Sequence, residues 1–450
     1  MSSGVIVNSW TKLLRMCQMN NIINTCFMND SDRVLQYGSL GSLLKRNVFN
    51  TWLSSLINNN EVTIFPLEIV NLQQNSDFKI TEKNNDAFKY IMKNFFESDS
   101  LFGHDLPLGF AAYGPCLNQF NKNIMPCQEK DFEFHLSFCF FFRLLHLLAH
   151  LFLIDIMKNF FESDSLFGHD LPLGFAAYGP CLNQFNKNIM PCQEKDFEFQ
   201  KFKSWTRLCI VFFSQPKKST HWFHYWSKQR YLWWRKFSSI PSKFSMSEVK
   251  NIEKDIQQLS LLHEFPWGHE PLESITHYES RCVESLFQDF CKTNKLKFNP
   301  DSTPSLIVCE TKLDLAVLAY LSNSYAERWR KGKLKNILHL HFKIVPYKVC
   351  ILLDAESSEI LKRLKNLAIH LSKELQKSGI LLFPTLNSKF TTSLESLFSS
   401  FDEMGVPYII VLNETSLQSG IAGLRNRDTT LQEQVHITEL TSKLVKYLKS

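Results

Sequence analysis

"GIAGLRNRDTTLQEQ" runs from Gly420 to Gln434 and sets an arginine on either side of an asparagine, followed at once by Asp-Thr-Thr. Ile421 to Arg427 reads as a strand, in which Arg425 and Arg427 point to one side and Asn426 to the other. Thr430 and Glu433 have the spacing of a capping box, which predicts that a helix starts there. Ile437, Leu440, Leu444 and Leu448 then recur at helical spacing. The stretch is therefore read as a strand-to-helix junction. It holds no His, Ser or Cys that could act as nucleophile or base, so its charges are expected to frame the fold rather than catalyse. Asp428, near the expected helix start, suits the dipole and can pair with an arginine.

Working upstream, the same alternation continues. "VPYKVCILL" (Val345–Leu353) is a short apolar run that reads as a buried strand. Ile360, Leu361, Leu364, Leu367, Leu371 and Leu375 recur at three and four, with Gly379 just past the end as a C-cap. "ILLFP" (Ile380–Pro384) predicts a second strand. Thr392 and Glu395 form another capping box ahead of Leu394, Leu397, Phe398 and Phe401, closed by Gly405. "PYIIVL" (Pro407–Leu412) predicts a third strand. Strands alternating with amphipathic helices argue for an α/β domain of two or three layers with a largely parallel sheet.

Composition bounds the rest of the chain. Its 450 residues, 44% of them hydrophobic, suffice for two or three domains with cores of their own. A formal net charge of +6 fits an acidic partner such as nucleic acid without requiring one. The twelve cysteines include no C-x-x-C pair, so reduced, mostly buried thiols are the default. His221 with His224, and His339 with His341, lack a neighbouring cysteine pair, so no metal is expected and no cofactor is assigned.

Residues 1–30 carry Lys12 and Arg15, early serines and no acid before Asp30, the charge bias of a mitochondrial transit peptide. A compact apolar core of the secretory kind is missing. Further on, "IMKNFFESDSLFGHDLPLGFAAYGPCLNQFNKNIMPCQEKDFEF" occurs at Ile91–Phe134 and again, unchanged, at Ile156–Phe199. Solenoid repeats recur several times and diverge outside their core positions, whereas this one recurs once without divergence. Between the copies lies "HLSFCFFFRLLHLLAHLFLID", almost continuously apolar but interrupted by Arg143, His146 and His150. A central arginine makes a membrane span costly, so no membrane partner is expected. Residues 135–199 read as a duplicated block with an apolar spacer, one copy of the repeat folding and the other being surplus.

Pro346–Ser450 resembles the anticodon-binding domain of class IIa aminoacyl-tRNA synthetases, whose last strand and helix carry a similar Gly...Arg-x-Arg-Asp motif. Closer still is the resemblance to the accessory subunits of mitochondrial DNA polymerase gamma, a family related to glycyl-tRNA synthetase. "SLESLFSSFDEM" (Ser393–Met404), "LNETSLQSGIAGLRNRDTT" (Leu412–Thr430) and "HITELTSKLVKYL" (His436–Leu448) are similar to that family. So are "RYLWWRKFSSIPSKFS" (Arg230–Ser245), "EFPWGHE" (Glu264–Glu270) and "YGSLGSLLKRNVFNTW" (Tyr37–Trp52). The resemblance implies an α+β class II synthetase-like domain with an antiparallel sheet over residues 31–340, interrupted by 135–199. It implies an α/β anticodon-binding-like domain with a mixed sheet over residues 344–450. Its functional implication is a non-catalytic processivity subunit in the mitochondrial matrix nucleoid, partnered by the polymerase catalytic subunit and by double-stranded or primer-template DNA. A working class II synthetase, or a tRNA-binding relative, is the alternative.

The synthetase motifs discriminate between these readings. "YGSLGSLLKRNVFNTW" is similar to the first class II motif, a helix leading into "EVTIFP" (Glu61–Pro66). "LPLGFAAYGPCLNQF" (Leu106–Phe120) falls where the second motif would be. There the synthetase ends in Phe-Arg-Asn-Glu, whose arginine holds the ATP α-phosphate, whereas this chain has Leu117, Asn118, Gln119 and Phe120, repeated at Leu182–Phe185. Near "ETKLDLAVLAYL" (Glu310–Leu321), where the third motif offers glycines and a second ATP-clamping arginine, stand Thr311, Lys312 and Leu315. An adenylate-forming site without both arginines lacks the charge that stabilises the pentavalent phosphate, so no catalytic residue is assigned.

Two basic segments are candidate DNA contacts. Lys217, Lys218, Lys228, Arg230, Arg235, Lys236 and Lys243 are interleaved with Trp222, Trp226, Trp233 and Trp234 and include no acid. Either they form a backbone-tracking, base-stacking surface, or the tryptophans belong to a core and the cations to a solvated face. "ERWRKGKLK" (Glu327–Lys335) gathers Arg328, Arg330, Lys331, Lys333 and Lys335 around Gly332, expected as an exposed loop in contact with phosphates. About twenty-five residues separate Pro66 from Ile91, too few for the helical bundle through which some family members dimerise, and a monomer in a 1:1 heterodimer is expected.

Overall fold

In the computed structural model the described residues are 3–29, 32–59, 61–62, 64–68, 173–182, 204–293, 303–330, 332–384 and 393–449. Helix α1 (Ser3–Met19) leads through a tight turn at Asn20–Ile22 into the hairpin β1 (Ile23–Asn29) and β2 (Asp32–Tyr37), and α2 (Ser39–Ile57) follows. Trp10, Leu13, Met16 and Cys17 recur at three and four along α1 and are buried. Leu40, Leu44, Val48, Trp52 and Leu56 do the same along α2. The turn after α1 packs onto α2 at Gly41, where a Cβ would lie 1.7 Å from the Ile22 carbonyl oxygen, an approach only glycine permits. The N-terminal segment read as a transit peptide is thus also structural from Trp10 onward. Removing all of residues 1–30 would strip Trp10, Leu13, Met16, Cys17, Ile22 and Ile23 from the main core.

The sheet of the first domain is assembled from β3 (Ile64–Glu68), β4 (Leu173–Leu182) and β5 (Ser204–Ser214). After α3 (Ser219–Lys236) come β6 (Phe244–Met246), β7 (Lys250–Glu253), β8 (Ile256–Phe265) and β9 (Gly268–Tyr278). Helix α4 (Ser280–Thr293), β10 (Ser305–Lys312) and α5 (Leu313–Ser324) complete it. The order is β3-β4-β5-β10-β9-β8-β6, with β7 also on β8. All pairings are antiparallel except β3 with β4. Leu208–Phe213 at the centre is buried on both faces, which is why it reads as an unbroken apolar run. Leu313–Leu321 in α5 is buried all round.

Strand β4 is drawn from the second copy of the duplication. The first copy and the apolar spacer lie outside the described residues. Because the copies are identical, removing 135–199 or 91–155 leaves the same polypeptide, so either copy can supply β4. Among the described residues no helix is long and apolar enough to cross a membrane.

A hairpin, β11 (Tyr325–Arg330) and β12 (Lys333–Leu338), projects between this domain and the next. The second domain comprises β13 (Val349–Leu353), α6 (Ser358–Lys377), α7 (Leu394–Glu403), β14 (Tyr408–Leu412) and α8 (Glu414–Ser419). It ends with β15 (Ile421–Asn426), β16 (Gln432–His436) and α9 (Ile437–Lys449). Side chains of β13 alternate: Val349, Ile351 and Leu353 pack towards α6 and α9, Cys350 and Leu352 towards α7. Helices therefore cover both faces.

Three sequence expectations need correction here. The sheet is mixed, as the resemblance implied, not largely parallel: only β13–β14 is parallel, and β14–β15–β16 run antiparallel. "ILLFP" contributes one bridge, Val349 to Leu382. The predicted capping boxes are displaced. The N-cap of α7 is Ser393, and Thr430 sits at φ +64° in the β15–β16 turn, so a strand intervenes before α9. The helical period begins only at Ile437, and Thr-x-x-Glu carries no cap without an apolar stripe following at once.

Candidate nucleic-acid interface and its frame

The tryptophan-rich segment folds as α3, and the helix sorts its residues. Trp226, Trp233 and Trp234 are buried, while Lys217, Lys218, Lys228 and Lys236 are exposed. Arg230 is 1% exposed, and its guanidinium donates twice to Glu273 on β9, at 2.7 and 3.1 Å, with the Trp234 indole donating to the same carboxylate. Arg230 is thus a core residue and cannot reach a phosphate. Arg235 lies half-buried over the Tyr231 ring, 5.0 Å from its centroid. Lys217–Lys218 and Arg235–Lys236 sit at opposite ends of the helix, about 27 Å apart at 1.5 Å per residue. Interleaving in sequence has become separation in space.

The second basic segment is a hairpin rather than an open loop. Gly332 takes φ +72°, which a tight turn between paired Arg330 and Lys333 requires. Cross-strand pairing puts Arg328 opposite Lys335 and Arg330 opposite Lys333, like charges that repel unless acids answer them. The second domain supplies partners. Arg330 donates to Asp402 at 3.1 Å, and Arg328 donates to the Asp428 carbonyl at 2.7 Å. On the other face, Glu327 accepts from Lys12 of α1 and from Tyr325, both at 2.9 Å. Lys333 stays exposed, and Lys331 lies outside the described residues.

The arginines of the opening stretch close this frame. Arg425 is buried and grips Asp402 through both terminal nitrogens, at 2.9 and 2.8 Å, while stacking over Phe398. Arg427 donates to the carbonyls of Gly405, at 2.6 Å, and Leu340, at 3.0 Å, which ties the end of α7 to the chain between the domains. Burial alone would raise the Asp428 pKa. Hydrogen bonds from His339 and Arg427, with the guanidinium charge, outweigh this and hold it well below the usual carboxylate range. Asp402 and Glu273, the acids that decide which arginines are structural, were not singled out from the sequence. A signal existed for Asp402: it lies four residues after Phe398 and next to Phe401, on the buried flank of α7, where a carboxylate needs a cation.

Two concavities adjoin these residues. One, about 480 Å³, lies at the domain junction and is lined by Asn323, Tyr325, His339, His341, Tyr408 and Asp428 among others. The other is a groove of about 860 Å³ between α2, α3 and the second domain, with Asn50, Ser54, Asn58, Lys236, Lys343 and Lys348 on its walls. Lys348 donates to the carbonyls of Phe342 and Val345, and burial pushes its pKa down to about 8.

At the β10–α5 junction, where the third synthetase motif would fall, the side chains are committed to contacts within the protein. Leu313 and Leu315 are buried, and Asp314 accepts from Lys45 at 2.6 Å and from the backbone N–H of Thr206. Arg207 of β5 pairs with Glu310 at 2.8 Å.

Comparison with known proteins bears on both domains. Residues 348–447 match the family described as the anticodon binding domain. The chain is 29% identical over 312 residues to DNA polymerase subunit gamma-2, mitochondrial, of Xenopus laevis, covering 68% of this chain and 65% of that one. With DNA polymerase subunit gamma-2 of Mus musculus it shares 30% identity over 303 residues, 65% of this chain and 64% of the relative. Glycine–tRNA ligase of Treponema denticola is 24% identical over 309 residues, 65% of this chain and 63% of the ligase. The chain therefore spans slightly less than two thirds of the length of these relatives. An antiparallel-sheet domain followed by an anticodon-binding domain with a mixed sheet is the class II synthetase-like arrangement.

Proposed function

We propose that this protein is a non-catalytic accessory subunit of a mitochondrial DNA polymerase, a monomer that binds the catalytic subunit and primer-template DNA in the matrix nucleoid. The observation that carries this reading is the β10–α5 junction. Leu313, Asp314 and Leu315 are packed or ion-paired where an adenylate-forming enzyme would present a cation to ATP. Similarity to polymerase gamma-2 subunits over about two thirds of the chain supports the same choice. Function by binding alone would act through slower dissociation of the polymerase from DNA. The DNA contacts fall to the exposed Lys217, Lys218, Lys236 and Lys333, with the half-buried Arg235 and Lys335 and, by its place in the sequence, Lys331. Arg328 and Arg330 serve first to hold the domains together.

Primer extension by the matching catalytic subunit, with and without this protein at rising salt, tests the reading. Longer products at salt that stalls the catalytic subunit alone are expected. No effect from a folded, monodisperse sample refutes it. The similarity to glycine–tRNA ligases keeps one alternative in view, and glycine-dependent ATP–pyrophosphate exchange above background would favour that alternative.

A further inference from the structure

Trp329 is 74% exposed and Leu334, directly across the hairpin from it, is 44% exposed. A tryptophan left in water beside a second exposed apolar side chain is uncommon enough to mark a contact surface. The pedestal beneath it is rigid: Arg328 and Arg330 are anchored on the second domain, and Tyr325 donates to Glu327 and Asn336. Because side chains alternate along a strand, the arginines lie on the face turned to the second domain and Trp329 on the other. An aromatic plane is thus held fixed at a projecting tip.

Charge selects the occupant. From Tyr325 to Leu338 the hairpin carries Arg328, Arg330, Lys331, Lys333 and Lys335 against a single acid, Glu327, which Lys12 already neutralises. Asp402 and Asp428 behind it are paired with Arg330, Arg425 and Arg427. A positive tip with a flat aromatic face suits a polyanion with stacking bases, and unpaired bases offer faces that a duplex hides. We propose that the tip of this hairpin is a stacking site for single-stranded nucleic acid, with Trp329 and Leu334 as platform for a base and Lys333, next to Leu334 at the turn but on the arginine face, as contact for the phosphate that follows round the tip. The inference rests on the accessory-subunit reading for its biological substrate, the unpaired template beside a primer terminus.

The test is fluorescence anisotropy of the full chain with labelled oligothymidylate, oligouridylate and a blunt duplex, together with primer extension. Trp329→Ala is expected to weaken oligothymidylate binding about tenfold at unchanged salt slope, Trp329→Phe to restore most of it, and the duplex to be affected far less. Lys333→Glu is expected to flatten the single-strand salt slope by about 0.7, the loss of one phosphate contact. Tighter binding of oligouridylate than oligothymidylate would keep the site and change its source to RNA. Unchanged oligonucleotide affinity in Trp329→Ala, with thermal melting unaltered, overturns the proposal. So does a loss of primer-extension stimulation without a loss of oligonucleotide affinity, which would give the tip to a protein contact. A wild-type chain that stimulates extension but binds no single strand overturns this inference alone and leaves the accessory-subunit reading standing.

Discussion

Helix α3 and the β11–β12 hairpin are both rich in cations and tryptophan, yet they use them in opposite ways. In α3 the tryptophans and one arginine are inside and the lysines outside. In the hairpin the arginines are committed to the neighbouring domain and the tryptophan is outside. The difference comes from the acids. Glu273 waits behind α3 for Arg230, and Asp402 and Asp428 wait behind the hairpin. A cluster of positive charge therefore says little about ligand binding until the carboxylates that face it are known.

The largest expected effect tests whether Arg230 is framework. Arg230→Ala leaves Glu273 buried with only an indole N–H, and breaking a fully buried pair from one side costs about 3–5 kcal/mol. Urea unfolding monitored by tryptophan fluorescence should show that loss. The double substitution Arg230→Met, Glu273→Leu should recover most of it, because two apolar side chains need no partner. If Arg230→Ala is nearly as stable as the parent and instead loses DNA affinity, the contrast between the two segments collapses.

Asp402 is next. Asp402→Ala strands buried Arg425 and releases Arg330, and is expected to cost about 3 kcal/mol. Arg330→Ala removes only a partly exposed pair and should cost about 1 kcal/mol or less. The asymmetry matters for mapping DNA contacts. Arg330→Glu would set a carboxylate beside Asp402 and damage the frame, so reversal of Lys331 and Lys333 is the cleaner test of phosphate contact. Equal losses from Asp402→Ala and Arg330→Ala would mean that the frame depends on the hairpin, not on Arg425.

Acid should act on the first domain through His263. Its Nε2 lies 3.2 Å from the Ala319 carbonyl and its ring stacks on Phe265. Burial, with the charges of Lys243 and His269, pushes its pKa from 6.5 down to about 3. Below pH 6.5 the unfolded chain takes up a proton that the native chain refuses. Stability is thus complete above that pH and is lost as pH falls towards 3, at up to ~1.4 kcal/mol per pH unit. Burial shifts half-buried His341 in the same direction, to about 4. His263→Phe should flatten the decline between pH 6.5 and 4 without abolishing it. An unchanged pH profile would show that His263 is not held neutral by its stack.

How much of this could be read from residues alone follows from which interactions are local. The strands Val349–Leu353 and Tyr408–Leu412 and helix α6 were legible because period and apolar run length are properties of the chain itself. The β15–β16 hairpin was not, since Gln432–His436 holds one buried residue, Val435, and pairs through backbone atoms that leave no pattern. The framing role of Arg425 and Arg427 was anticipated from the missing nucleophile, but their partners, Asp402, Gly405 and Leu340, come from distant segments. Residues 1–30 carry two signals at once: Lys12 and Arg15 signal targeting, while Trp10, Leu13, Met16 and Cys17 at helical spacing signal a core helix. One stretch can satisfy both patterns, and the charge bias was the louder of the two.

The smallest expected effect sharpens the contrast most. Trp226 and Trp329 are both indoles in basic segments, but Trp226 is buried against Phe212, with ring centroids 5.3 Å apart, and Trp329 stands in water. Trp226→Ala should cost ~3–5 kcal/mol through the cavity it leaves. Trp329→Ala should change stability by no more than ~0.5 kcal/mol, the usual range for a surface position. The exposed residue can then be removed without disturbing the fold, so any effect on nucleic acid belongs to the contact itself. A destabilisation well above that range would mean that Trp329 packs against the protein in solution, and the hairpin would join α3 as a segment whose tryptophan is structural.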